Sequence, residues 1–239
     1  MSPDDTAVRT FEFVIDDQDI DDLERRLAAT RWPDQLADVG WEYGTDRDYL
    51  QTLCEYWQTE YDWTALEQRI NRFEQYTTTI DGQNVHFYHV QSPHASAQPL
   101  LLSHGWPGSV VEFLEVLGPL TDPESHGGDP ADAFHVVAPS LPGYGFSGPT
   151  HERGYDVERI SETFARLMDR IGYEEYFAQG GDWGALITAL LGANYPERVR
   201  AIHTNMLFVR PSDLDDPVER LSEEGMADYR ETKQFREQE

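Results

Sequence analysis

The stretch "AQGGDWGALITALL", residues 178–191, decides the fold. Its core, Gly180-Gly181-Asp182-Trp183-Gly184, has the spacing of a nucleophile elbow. Small residues two places before and after the central one let a strand turn sharply into a helix, and the central side chain projects clear of the sheet. Here that residue is an aspartate rather than a serine. The helix that follows offers free N–H groups and the positive end of its dipole, which keeps a carboxylate ionised. Aspartate is also a common helix N-cap. Two roles therefore stand for Asp182, nucleophile and cap.

Working outward, strands and helices alternate on either side of the elbow. "YFAQG" (176–180) reads as the strand entering it, and residues 184–195 as the helix leaving it. Upstream, "PLLLS" (99–103) is a buried strand followed by a helix over 109–117. "FHVVAP" (134–139) is another strand, followed by a helix over 156–171. Asp156 is the N-cap of that helix, Ile160, Phe164, Leu167 and Ile171 form one face, and Gly172 ends it. "VRAIHTNM" (199–206) is the last strand. Before all of these, "YTTTI" and "VHFYHV" flank "DGQN" as a hairpin around an Asp-Gly turn. Strands with crossover helices give a mainly parallel sheet covered on both faces, an α/β class fold.

Residues 1–75 read as helical and separate, with Ile20, Leu23 and Leu27 on the first helix, Tyr49, Leu53 and Trp57 on the second, and Leu66, Ile70 and Phe73 on the third. "RWP" (31–33) ends the first. Trp32, Trp41, Trp57 and Trp63 are expected to pack as core. Residues 76–210 form the α/β core. Residues 211–239 are polar, either a solvated helix pair or the opening of a further region.

The chain of 239 residues carries 45 acidic and 18 basic residues, a formal net charge of −27. Nucleic acid is excluded as a partner, because phosphate binding needs a basic surface. Lys233 is the only lysine; the other cations are arginines. The charge is spread along the chain, which suits either an acidic partner-binding surface or a protein adapted to high salt. The single cysteine, Cys54, rules out an intrachain disulfide and a thiolate metal cluster. No apolar run is long enough to span a membrane and the N-terminus lacks a signal-peptide layout, so a cytoplasmic location is expected.

Two more motifs follow strand ends, where ligand sites of parallel sheets form. "SHGWPG" (103–108) places His104 and Gly105 at the bend, presents the Trp106 N–H and lets Pro107 fix the next φ. The Trp106 and Trp183 N–H groups are the candidate oxyanion donors. "PSLPGYGFSGP" (139–149) reads as a loop that shapes the pocket. His104 is expected to be structural. His86 and His89, three apart in a strand, face opposite sides and form no metal site.

Taken together, "HGWPGSVVEFLEVLGPL" (104–120), "PSLPGYGFSGP" (139–149), "GGDWGALITALLGANYPERV" (180–199) and "FVIDDQDIDDLERRLAATRWPD" (13–34) resemble the microsomal-type epoxide hydrolases of the α/β-hydrolase superfamily, with their N-terminal helical extension. The resemblance implies that Asp182 opens an epoxide to a covalent ester that water hydrolyses to a diol, with a small apolar epoxide as substrate and no metal or cofactor. It also implies two cap tyrosines, an acid and a late histidine. The last histidine here is His203, inside a strand, and the final two strands of the fold have no counterpart. The chain is thus expected to represent the N-terminal part of such an enzyme, truncated after its sixth strand, with 211–239 as the start of the cap. An unpaired edge strand is then expected to favour oligomers. A haloalkane dehalogenase-like hydrolase and a non-catalytic fragment are the alternatives.

Overall fold

The computed structural model describes residues 7–207 and 221–238. Its centre is a mixed seven-stranded sheet in the order β1-β2-β3-β5-β4-β6-β7. The strands are β1 (Arg9–Phe11), β2 (Gln75–Ile80), β3 (Gln83–Val90), β4 (Gln98–Ser103), β5 (Phe134–Pro139), β6 (Tyr176–Gly180) and β7 (Val199–Thr204). β5, β4, β6 and β7 run parallel, whereas β1, β2 and β3 form an antiparallel flank joined to β5.

The hairpin β2–β3 turns at Asp81 and Gly82, both with positive φ (50° and 83°). Such a pair of left-handed residues matches the twist of the flanking strands. The short strand β1 was not legible in the sequence. It lies in the segment expected to be helical and adds an edge to β2. Around it, the Asn71 side chain grips the Phe13 backbone and Glu67 Oε2 accepts the Ile15 N–H at 2.8 Å.

Side chains alternate between two cores with the period of the strands. Val85, Phe87, Leu101, Val137 and Ala178 face α5 (Val157–Arg170) and α6 (Trp183–Asn194). Tyr88, Leu100, Leu102, Val136 and Ala138 face α3 (Trp63–Ile70) and α4 (Leu114–Thr121). On α5, Ile160, Phe164 and Leu167 are buried, and Asp156 Oδ1 accepts the Arg159 N–H at 3.0 Å, so the stripe and its cap lie as read. Ser109 and Glu112 form a reciprocal capping box over a 3₁₀ turn that leads into α4.

The extension differs from expectation. α1 (Asp17–Ala28) and α2 (Arg47–Thr59) bury no residue fully. Trp41 is 60% and Trp57 41% exposed, so these tryptophans are not core. They pair with single neighbours instead, Trp41 with Tyr49 and Trp57 with Trp63. A layer one helix thick has no second face to cover them. β7 ends at Thr204 rather than at 206, because the Thr204 hydroxyl donates to the Met206 carbonyl at 2.8 Å and turns the chain. α7 spans Glu223–Gln238; of the expected cap opening at 211–239, residues 211–220 and 239 lie outside the described residues.

Candidate active site

The site forms where β4, β6 and β7 end together. Ser103 is level with Gly180, and Gly180 with Thr204, in the parallel register. The loops leaving these three positions carry Trp106, Asp182 and Asn205.

Asp182 adopts φ 52° and ψ −126°, a conformation that L-residues rarely take. It is tolerated because the surroundings close tightly around it. A Cβ on Gly105 would sit 2.5 Å from the Asp182 Cβ and 2.6 Å from its Oδ1. A Cβ on Gly184 would overlap the Ser103 carbonyl, and one on Gly180 the carbonyl of Gly184. The glycines therefore let β4, the elbow and α6 approach one another.

Of the two roles open to Asp182, side-chain capping is not what the structure shows. Its side chain makes no capping bond to α6. Instead Oδ1 accepts the Trp106 N–H at 2.7 Å, across the site. That hydrogen bond, helped by the adjacent Trp183 backbone N–H, holds the carboxyl below its ordinary pKa, against a smaller opposing effect of burial. The aspartate is ionised, strained and partly buried.

A cavity of about 380 Å³ opens over it, lined among others by Trp106, Pro107, Phe113, Gln179, Asn205 and Met206. The indoles of Trp106 and Trp183 lie 6.1 Å apart, centroid to centroid. Trp106–Pro107 is a cis peptide.

His104 borders this cavity but is fully engaged. Its Nδ1 donates to the Gly105 carbonyl at 2.9 Å and its Nε2 accepts the Leu141 N–H at 3.0 Å. Burial lowers its pKa, so the ring is neutral and has no lone pair left for a proton. The loop at 139–149 was expected to shape the pocket. It does not line the cavity. It acts one step back, holding His104 and through it the turn that carries Trp106. His203 faces a different, apolar groove along β7. Among the described residues no group of three or more histidine, cysteine, aspartate or glutamate side chains could hold a metal ion. Nor is any helix there long and apolar enough to cross a membrane. Gln179, Asn205 and Met206 are the site residues that the sequence did not reveal. The parallel register of β6 and β7 is the signal that places them.

A model of the α/β hydrolase fold matches residues 98–235, and one of the epoxide hydrolase N terminus matches residues 8–113. The chain belongs to the epoxide hydrolases of the α/β-hydrolase superfamily. Rabbit (Oryctolagus cuniculus) epoxide hydrolase 1 is 36% identical over 209 residues, covering 86% of this chain and 46% of the rabbit protein. The juvenile hormone epoxide hydrolase of the silkworm Bombyx mori superposes with a TM-score of 0.77 at 35% identity, over 84% of this chain and 53% of that one. The Aspergillus niger epoxide hydrolase gives 0.77 at 32%, over 92% and 58%. The chain thus spans about half the length of the curated relatives it matches.

Proposed function

We propose that this chain carries the ester-forming centre of an epoxide hydrolase, with Asp182 as nucleophile and a small apolar epoxide as substrate. The observation behind this reading is the Asp182 carboxylate, turned away from its own helix and anchored by one oxygen to the Trp106 N–H.

Anchoring Oδ1 leaves Oδ2 to attack. As the Oδ2–carbon bond forms, a ring carbon–oxygen bond breaks. Its electron pair goes to the departing oxygen, which is protonated to a hydroxyl. The product is a hydroxyalkyl ester of Asp182. Water then adds to Cγ, and the oxyanion develops on Oδ1, the oxygen that accepts the Trp106 N–H, with the Trp183 N–H as the second donor in this reading. The bond between Cγ and the alkyl-bearing oxygen breaks, the diol leaves and one proton passes to solvent. Among the described residues the only histidine lining the cavity is His104, whose nitrogens are both occupied. The described residues therefore support the first step more strongly than the second.

Incubation with styrene oxide followed by intact-mass analysis is expected to show one substrate equivalent on the protein, absent from Asp182→Asn. An adduct that persists in Asp182→Asn would overturn the assignment. The match to the epoxide hydrolase N terminus favours an epoxide over an alkyl halide.

A further inference from the structure

We infer that Asn205 is a positioning residue for the second step, holding the water that attacks the Asp182 ester. This rests on the reading of Asp182 as nucleophile.

Asn205 is the first residue after β7, and the register puts it beside Gly181, the neighbour of Asp182. The Thr204 hydroxyl fixes the turn around it, donating to the Met206 carbonyl at 2.8 Å and accepting the Met206 N–H at 3.2 Å. The carboxamide folds back over the elbow. A Cβ on Gly181 would overlap Asn205 Oδ1 and come within 3.2 Å of both Cγ and Nδ2. Gly181 does not have a positive φ. Glycine is needed there for space, not for backbone conformation, and the space it leaves is filled by the Asn205 amide.

That amide makes no hydrogen bond to any described residue, and it lines the same cavity as Asp182. Its position selects among the possible roles. In an in-line ring opening the departing oxygen lies on the far side of the reacting carbon from Asp182. A group lying over Gly181 is at the level of the attacking carboxylate, so it is badly placed to assist that oxygen. It does not bond Asp182 either, so it does not weaken the nucleophile. What it can reach is a water beside Cγ, approaching from the β7 side while Trp106 holds Oδ1 from the β4 side. An amide oxygen accepts one water proton and orients the lone pair toward Cγ. The donors of an oxyanion hole do not supply that function.

The test separates the two steps. The chain is reacted with styrene oxide, excess epoxide is removed, and formation and decay of the Asp182 adduct are followed by intact mass. In Asn205→Ala, decay is expected to slow roughly tenfold more than formation, about the loss of one hydrogen bond in the transition state. Gly181→Ala, which displaces the amide without removing it, should shift the same ratio in the same direction. Asn205→Asp, which keeps an acceptor in place, should restore decay. An unchanged decay-to-formation ratio in Asn205→Ala, or a wild-type adduct that does not decay at all, overturns the role of Asn205 and leaves Asp182 standing. Absence of any wild-type adduct overturns both.

Discussion

At Asp182 two demands meet. As the proposed nucleophile, the residue must be strained enough to project from the sheet and ionised enough to attack. The elbow supplies the first through a positive φ, and the Trp106 and Trp183 backbone donors supply the second. A measurable pH profile follows. With its pKa lowered, the carboxylate stays ionised as pH falls through the usual aspartate value of about 3.9. Ester formation should therefore keep most of its rate from pH 7 down to about pH 4, whereas an unperturbed aspartate would be half protonated there. Initial adduct rates in short incubations would show this, and a rate already halved above pH 4 would contradict it. Asp182, Trp183 and the flanking glycines were legible in the sequence because the elbow is a local motif, five residues long, and Trp106 because its turn, "SHGWPG", is another. Asn205 was not, because it joins the site only through strand register. Nothing in "HTNM" marks it.

At the scale of elements, the loop at 139–149 is braced by groups that sequence patterning could not connect. His86 in β3 is fully buried. Gln75 donates to the Ile70 carbonyl and to Asn71 Oδ1, so its oxygen faces His86 Nε2 at 3.0 Å. The Nε2–H tautomer follows, and Nδ1 accepts from the Ser140 hydroxyl at 2.9 Å. Ser147 in turn accepts the His86 N–H and donates to the Ser140 carbonyl. Phe11 and Phe13 pack on Phe146, which ties the N-terminal segment to the same loop. The contacts that tie His86 and the N-terminal segment to this loop span 54 to 135 residues, and that of His86 with Gln75 joins two strands, whereas the strands and α5 were read from periodicity alone. Burial lowers the His86 pKa to about 3. The folded state therefore binds this proton less readily than the unfolded chain does. Its contribution to stability is present above the ordinary histidine value of about 6.5 and is lost as pH falls below it, by about 1.4 kcal/mol per pH unit. Denaturant unfolding between pH 6 and 5 should show at least that slope, with buried His104 adding to it, and His86→Gln should make it shallower by about that amount whatever it does to stability at pH 7. An equally steep slope in the variant would remove His86 as the cause.

For the whole molecule, surface charge and apolar surface pull in different directions. Net charge −27 means that carboxylates far outnumber the cations available to pair with them. The ion pairs present, such as Arg69–Glu115 between α3 and α4, are solvent-exposed and contribute little each. Self-repulsion then opposes the compact state, and salt relieves it as the Debye length falls from about 10 Å at 0.1 M to about 3 Å at 1 M. Meanwhile β7 is an edge of the sheet among the described residues, with Ile202 46% exposed beside an apolar groove of about 550 Å³. Salt would also favour self-association there, and association raises an apparent melting temperature with protein concentration. The two effects separate on dilution. If repulsion limits stability, the melting temperature rises from low to molar KCl by the same amount at two protein concentrations tenfold apart. A rise that vanishes in the dilute sample would assign the salt effect to the β7 edge. A melting temperature that is flat or falls with KCl would remove the case for salt adaptation, leaving the acidic surface to be explained by a partner.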